Sequence, residues 1–353
     1  MHDLFSVLKG KRVLLTGDTG FKGSWLSLWL TQLGADVVGF AQPPKRDNDH
    51  FNLLGLQKIT HHVDGDIRDL SALKRVFDEY EPEFLFHLAA QSLVRYSYQE
   101  PKLTFDTNIG GSINILECIR STSSLRSVIY VTSDKCYLNK EWEWGYREND
   151  ELGGHDPYSA SKAAAELIFS SYRDSFFSRR GELGVASVRA GNVIGGGDWS
   201  ADRIVPDSIK ALQQQQPILL RNPDSTRPWQ HVLEPLSGYV ALACKLHADA
   251  KRFSGSWNFG PRPESIRTVQ NLAREIVSCW GVGEVKLAEE HELPHEARLL
   301  QLNCDKAIQS LRWTPRWDFE RTVAMTVQWY RAITDGISAS EITRKQIDHY
   351  MGS

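Results

Sequence analysis

The chain has 353 residues, 41% of them hydrophobic and 24% charged, with a formal net charge of -3. That length suffices to bury the core of one large domain or, as read here, two unequal ones, and the near-neutral balance argues against nucleic acid or an anionic membrane as partner. Cys118, Cys136, Cys244, Cys279 and Cys304 are scattered, with no CxxC or short histidine spacing, which excludes a disulfide framework or zinc site and points to free thiols and no metal.

Met1 leads into Phe5, Val7 and Leu8 without a long apolar run, so the expectation is a cytoplasmic protein with no signal peptide or membrane span. Arg12 to Leu15 reads as a short buried strand, and Gly20 to Leu33 has helical apolar spacing. Further strand-like runs follow at Asp36 to Ala41, His62 to Asp66, Phe84 to Ala89, Ser127 to Thr132 and Val185 to Arg189. Between them lie helix candidates at Leu70 to Tyr80, Leu103 to Thr122 and Tyr158 to Phe177. Such alternation predicts an α/β chain with a Rossmann-type doubly wound parallel sheet, helices on both faces and ligands at the carboxyl ends of the strands. After Gly195 the rhythm breaks into shorter elements punctuated by Gly195-Gly196-Gly197-Asp198, Asn222-Pro223-Asp224 and Gly260-Pro261-Arg262-Pro263. Residues 1–190 are therefore read as mainly dinucleotide-binding, and 191–353 as a smaller α/β substrate domain interwoven with the first. Gln213 to Gln216 is a polar run with no function attached.

Three clusters carry the chemistry. Gly17, Gly20 and Gly23 follow the first strand and open a helix, a pattern that brings backbone and helix N-terminus close to a pyrophosphate. Gly17, Thr19, Gly20, Phe21, Lys22 and Gly23 are the expected cofactor contacts, with Asp66 and Ile67 toward the adenine and Leu88, Ala89 and Ala90 alongside. An acid that reads the ribose is expected at the end of the second strand, but Ala41-Gln42 stands there, with Lys45-Arg46 just after. NAD is the expected cofactor, and these residues leave NADP open.

Tyr158 and Lys162 lie one helical turn apart. A tyrosine with an ordinary pKa near ~10 is a poor base at neutral pH, and a neighbouring ammonium favours its phenolate. Ser133 adds a hydroxyl donor, and Asp134-Lys135 beside it supplies an acid and an amine. Together these predict removal of a proton from a sugar alcohol as hydride leaves. A structural Asp134–Lys135 surface pair is the competing reading.

The strings Thr-Gly-Asp-Thr-Gly-Phe-Lys-Gly-Ser-Trp-Leu (16–26), Val-Thr-Ser-Asp-Lys (131–135) and Arg-Ala-Gly-Asn-Val-Ile-Gly-Gly-Gly-Asp-Trp (189–199) resemble the extended short-chain dehydrogenase/reductase superfamily. Within it they resemble the nucleotide-sugar 4,6-dehydratases, and most nearly the CDP-glucose branch, over roughly Gly10 to Trp329. The family often has His after the first glycine, where this chain has Asp18; a carboxylate beside a phosphate site is expected to point away. The resemblance implies a lyase of deoxysugar biosynthesis, including lipopolysaccharide or O-antigen sugars. Tyr158 would deprotonate the C4 hydroxyl while hydride moves to NAD, Lys135 would remove the C5 proton where relatives carry Glu, and Asp134 would protonate the departing C6 hydroxyl.

At the nucleotide end, Arg203, Arg227 and Arg298 match the family's diphosphate region, since guanidinium groups suit phosphate. Asn192, Asn258 and Gln91 are the further substrate candidates. The residues alone do not select the base, so CDP-glucose rests on the resemblance. A 4-epimerase or another nucleotide-sugar enzyme of the same superfamily would share Tyr158, Lys162 and the glycines but not need Asp134-Lys135. A non-catalytic dinucleotide-binding regulator would need none of the catalytic set. A homodimer or homotetramer is expected from the fold analogy.

Overall fold

The computed structural model describes residues 2–200, 202–288 and 299–352. Its centre is a seven-stranded parallel sheet. The strands are β1 (Arg12–Thr16), β2 (Asp36–Ala41), β3 (His61–Asp64), β4 (Phe84–His87), β5 (Ser127–Val131), β6 (Gly184–Ala190) and β7 (Gly255–Phe259), in spatial order β7-β6-β5-β4-β1-β2-β3. The order reverses between β1 and β4, and the carboxyl ends of strands flanking such a reversal leave a crevice for a ligand. β1, β4, β5 and β6 are buried on both faces for nearly their whole length, which accounts for their continuous rather than alternating apolar sequence.

Two apolar clusters cover the two faces. One joins Leu14, Val38, Leu85 and Val128 to Val76, Ile115 and Phe169. The larger joins Leu15, Phe86 and Ile129 to Trp25, Trp29, Leu236, Val240 and Tyr350. The helix α1 (Phe21–Gln32) is buried from Gly23 to Leu30, so it is apolar around its circumference instead of along one stripe. It is enclosed from outside by residues of the second half: Trp25 Nε1 donates to Gly196 O at 2.9 Å, and Trp29 meets Tyr350 edge to face. Gly196 is also packed on a further ring, since a Cβ there would lie 1.9 Å from Trp329.

The second half completes the sheet as well as covering it. β7 pairs with β6, and the helix Leu233–Ala248 packs on β5. Three short two-stranded pairs lie beyond the main sheet: Val193–Ile194 with Gln230–His231, Thr226–Pro228 with Ile266–Thr268, and Ile218–Leu220 with Val285–Leu287. The strand β7 was absent from the sequence expectation, since Trp257 and Asn258 alternate poorly with polar neighbours and follow a helical stretch.

The helix expected over 103–122 is interrupted. Helical turns at Pro101–Phe105 and α2 (Gly111–Ser121) are joined through a wider turn at Asp106–Gly110, where the Gly111 N–H reaches back to Asp106 O. The helix expected from Tyr158 is α3 (Pro157–Ser175), started by Asp156, whose side chain accepts from Ser159 N. A proline at its first helical position costs no hydrogen bond.

Candidate active site

β5 stops at Val131, and the chain turns through Asp134–Cys136 as a single tight 3-10 turn. Ser133 caps it: Lys135 N donates to Ser133 Oγ at 3.2 Å, and Ser133 Oγ donates to Asp134 Oδ1 at 2.9 Å. Three residues per turn space successive side chains by about 120°. Asp134 is thereby buried, with Lys135 only half-buried, and no ion pair joins them among the described residues. It is this turn, beginning after β5 has ended at Val131, that sets Asp134 and Lys135 apart.

α3 carries Tyr158, Lys162 and Glu166 on one face. Tyr158 is 7% exposed, with the Ser133 hydroxyl near enough to affect its titration. Burial pushes the Tyr158 phenol up to about 12; Asp134 adds to this, while Ser133 and the Arg203 guanidinium oppose it. Arg203 therefore supplies cationic help to the phenolate. Burial lowers the Lys162 ammonium to about 8. Lys22, from the first turn of α1, is also lowered to about 8, by burial and then by the charge of Arg203, with Asp134 opposing and Lys162 adding to the fall. The glycine-loop lysine, the 134–136 turn and α3 are thus close enough to act on one another's charges.

Sequence reasoning missed what holds this cluster. Glu166 is fully buried, accepting from Arg189 Nε at 2.9 Å and Nη2 at 2.7 Å, from Ser187 Oγ at 2.8 Å and from Thr132 Oγ1 at 2.5 Å. Thr132 precedes Ser133, so Glu166 ties the catalytic turn, α3 and β6 together. Burial opposes its charge, but Arg189 overrides this and holds the carboxyl below its usual range. The signal was available: Glu166 continues the 158/162 spacing by another four residues. A second missed residue is Asn108, inside the wide turn at 106–110. Its Nδ2 donates to Ser161 Oγ on α3 and to Gln91 O, and its Oδ1 accepts from Gln91 N. Wide turns of this kind free groups that a regular helix would consume.

The glycine loop fits a dinucleotide. Gly17 has φ +81°, and a Cβ on it would lie 2.7 Å from Ala89 N; at Gly23 a Cβ would lie 2.0 Å from Gly17 O. The turn thus packs directly on the end of β4, leaving the α1 N-terminus beginning after Gly20 open to a phosphate. Thr19 Oγ1 donates to Gln42 O at 2.9 Å, and Gln42 Nε2 to Asp66 Oδ2 at 2.8 Å. Asp66 also binds the Arg68 guanidinium, which holds its carboxyl down at about 2. Ile67 is buried against Gly111, where a Cβ would lie 2.5 Å from it. Leu88, Ala89 and Ala90 follow β4 on the crevice side, with Ala89 N near Thr16 Oγ1. Arg46 is drawn away to Trp199 O at 2.7 Å.

The nucleotide-end candidates divide. Arg203 stands at the catalytic cluster, its Nη1 bonded to Asp198 Oδ2 at 2.8 Å. Asn192 follows Gly191, whose Cβ position is 3.0 Å from Asp134 Oδ2, so it lies beside the catalytic turn. Arg227 is buried in the antiparallel pair with 266–268, donating to Thr226 O. Two expectations are corrected. Asn258 is fully buried and spends its side chain on Tyr137 Oη, Tyr146 O and Asn303 O, so it is a hub of the fold rather than a substrate contact. Gln91 curls back onto Leu93 and Thr104, its amide consumed by its own loop instead of facing a hexose. Arg298 lies outside the described residues.

A family model described as GDP-mannose 4,6 dehydratase matches residues 14–326. A CDP-glucose 4,6-dehydratase of Salmonella typhimurium is 46% identical over 98% of this chain and 97% of its own length. Among solved structures, dTDP-glucose 4,6-dehydratase from Bacillus anthracis in complex with NAD superposes with a TM-score of 0.77 at 21% identity, covering 94% of this chain and 100% of its own. UDP-glucose 4-epimerase from Thermus thermophilus, in complex with NAD, gives 0.76 at 24% identity, with 91% and 99% covered. The structural likenesses speak for the fold, and the sequence match across nearly the whole length speaks for kinship: the chain belongs to the GDP-mannose 4,6 dehydratase family.

Proposed function

We propose that the protein is an NAD-dependent hydro-lyase that converts CDP-glucose to CDP-4-keto-6-deoxyglucose. The observation that carries this is the convergence of Ser133, Asp134 and Tyr158, with Lys135 in the same turn, beside a glycine cradle with no room for a Cβ at Gly17 or Gly23. The CDP-glucose assignment draws on the 46% identical relative of that activity. A free ribose 2′-hydroxyl suits the neutral Gln42 just past β2, bonded to the acidic Asp66 just past β3, which favours NAD over NADP.

Gly17, Thr19, Gly20, Phe21, Lys22 and Gly23 would hold the pyrophosphate, and Asp66 and Ile67 the adenine side, with Tyr158 and Lys162 at the nicotinamide ribose. When bound, the nicotinamide supplies a hydride acceptor for C4 and later a hydride donor for C6. Tyr158, as the phenolate that the Arg203 charge favours, takes the C4 hydroxyl proton and becomes the neutral phenol, with Ser133 bonded to the same substrate oxygen. The resulting ketone acidifies C5, and Lys135, as the neutral amine, removes that proton. Asp134 protonates the C6 hydroxyl as water leaves, and Lys135 returns a proton to C5 when C6 is reduced. An epimerase has no use for the last two groups. Arg203, Asn192, Arg227 and Arg298 would bind the nucleotide-sugar, residues 191–353 forming most of that side.

Apolar side chains exposed on the helices between 94 and 176, among them Tyr98, Leu167 and Phe176, support a homodimer or homotetramer joined through helix packing. Five free cysteines support a cytoplasmic setting, and the CDP-glucose 4,6-dehydratase relative supports a product destined for deoxysugar biosynthesis. Among the described residues no helix is long and apolar enough to cross a membrane.

The test is incubation of the purified enzyme with CDP-glucose, followed by the alkali-induced absorbance of a 4-keto sugar. Product should form without stoichiometric NADH or NADPH, and the dinucleotide extracted from the enzyme should lack a 2′-phosphate. A product that consumes added reductant, or simple inversion at C4, would sink the proposal.

A further inference from the structure

Asp18 occupies the position after Gly17, and its carboxylate is folded beneath the loop. It is 1% exposed. Oδ2 lies 2.7 Å from His62 Nδ1, while Oδ1 is buried with no hydrogen-bond partner among the described residues. Gly39 on β2 makes the room, since a Cβ there would sit 2.0 Å from Asp18 Oδ2. His62 Nε2 is 3.1 Å from Asp64 Oδ1, and its ring lies on Phe51 with centroids 4.8 Å apart. The carboxylate points away from the phosphate face, as expected. Its charge nonetheless sits within the turn that must receive a pyrophosphate.

We propose that His62 is a positioning residue for the dinucleotide: its proton neutralises Asp18, so that the loop's affinity for a pyrophosphate is linked to one proton. The inference rests on the dinucleotide reading above. While the pair holds a single proton its net charge is zero, whichever atom carries it. Loss of that proton leaves an uncompensated carboxylate under the loop.

Burial works against the His62 charge, but the Asp18 hydrogen bond and charge, then Asp64, outweigh it and raise the imidazole above its ordinary value. Burial also raises Asp18, with His62 opposing most and the Asp18 and Thr19 backbone N–H groups opposing further. The other charged groups nearby are engaged elsewhere. His61, on the opposite face of β3, sits 3.4 Å from Asp36. His50, from the helix His50–Leu54, bonds Ser24 and is held neutral by burial, with its pKa down at about 3. Beyond Thr19, Asp66 is bound by Gln42 and Arg68. Asp64 is largely exposed and screened by water. The sign follows: dinucleotide affinity is full while His62 is protonated and falls as pH rises through its raised pKa.

The experiment is calorimetric titration of NAD into the cofactor-stripped full chain between pH 6 and 9. It compares wild type with Asp18→Asn, His62→Gln and the double variant, each checked by thermal unfolding. Wild-type Kd should rise roughly tenfold across the range, the scale of one partly screened charge at this separation. His62→Gln should bind weakly at every pH, Asp18→Asn tightly at every pH, and the double variant should recover the Asp18→Asn affinity. Should His62→Gln fail to fold, the flat profile of Asp18→Asn against the sloping wild type decides. Equal affinity in His62→Gln and wild type, no recovery in the double variant, or one shared pH profile would overturn this inference alone. No NAD binding by wild type at any pH would overturn the dinucleotide reading and this inference together.

Discussion

Glu166 and Asp18 are both acids removed from water, one bonded to the strand end before Ser133 and one in the glycine loop, and they are satisfied very differently. Glu166 receives two guanidinium bonds and two hydroxyl bonds, and each partner belongs to an element that shapes the catalytic cluster. Asp18 has one imidazole, and one of its oxygens is left over. A fully paired buried charge is costly to disturb and fixes geometry, whereas a half-paired one sits close to a change of protonation. The catalytic end is thus built as a rigid frame, and the pyrophosphate end as an adjustable one.

The largest effect expected from this contrast comes from breaking the frame. Arg189→Met leaves Glu166 buried without its cation, which should cost about 3–5 kcal/mol of stability. With Arg189 present the Glu166 carboxyl is depressed, so its contribution is full above the unfolded value and lost as pH falls through the folded one. Without Arg189 burial is opposed only by the Thr132 and Ser187 hydrogen bonds, so the carboxyl rises and the variant should lose stability as pH rises instead. Urea unfolding of both proteins at pH 5 and pH 8 measures both claims. A loss below about 1 kcal/mol would mean that the pair is easily replaced.

Next in size is Tyr158→Phe. It removes the proton acceptor while keeping the ring inside the frame, so fold and dinucleotide content should stay as in wild type and turnover should fall more than ~10²-fold. Near-normal turnover in this variant would show that another group accepts the C4 proton.

Lys135 separates the two halves of the reaction. Lys135→Ala should still let substrate reduce bound cofactor in a single turnover, seen as absorbance near that of reduced nicotinamide, yet release no 4-keto-6-deoxy product. Solvent deuterium should not enter C5. Arginine at 135 should not rescue, because a guanidinium stays protonated at any working pH. If Lys135 were instead a structural partner of Asp134, the alanine variant would lose stability or cofactor and the surviving enzyme would complete the elimination.

The frame and the loop also differ in how far they could be read from sequence. β1, β2 and the helix Leu70–Tyr80 lie where the apolar spacing puts them, because both their burial and their ends are written locally. The seventh strand and the wide turn at Asn108 are not local: one exists only by pairing with β6, the other only because Gln91 and Ser161 claim Asn108. Motif residues whose chemistry depends on the backbone, such as Gly17 and Gly23, were legible through spacing. Asn258 and Gln91 were misread because an amide in a motif looks the same whether it faces a ligand or closes a loop. Asp18 was recognised as out of place, but its partner lies 44 residues on, a distance that no periodicity spans.

The smallest effect is expected at the rim, where a third acid completes the contrast. Asp66 and Arg68 form a close pair at 2.6 Å, with side chains 26% and 40% exposed. Arg68 and then Gln42 bring the Asp66 carboxyl down to about 2, with burial opposing. Taken at face value such a depression would represent a sizeable stabilisation, but water screens a pair this open, and exposed pairs contribute only about 0.2–1 kcal/mol. Asp66→Asn should therefore lower stability at pH 7 by no more than that. Because the folded value is depressed, the contribution is fully present above the ordinary carboxylate pKa of about 3.9 and is lost as pH falls from there toward about 2. Urea midpoints of wild type and variant should then differ slightly at pH 7 and draw together at pH 3. A gap above about 2 kcal/mol at pH 7, or one undiminished at pH 3, would mean that this acid belongs with Glu166, and that the pyrophosphate end is framed as firmly as the catalytic one.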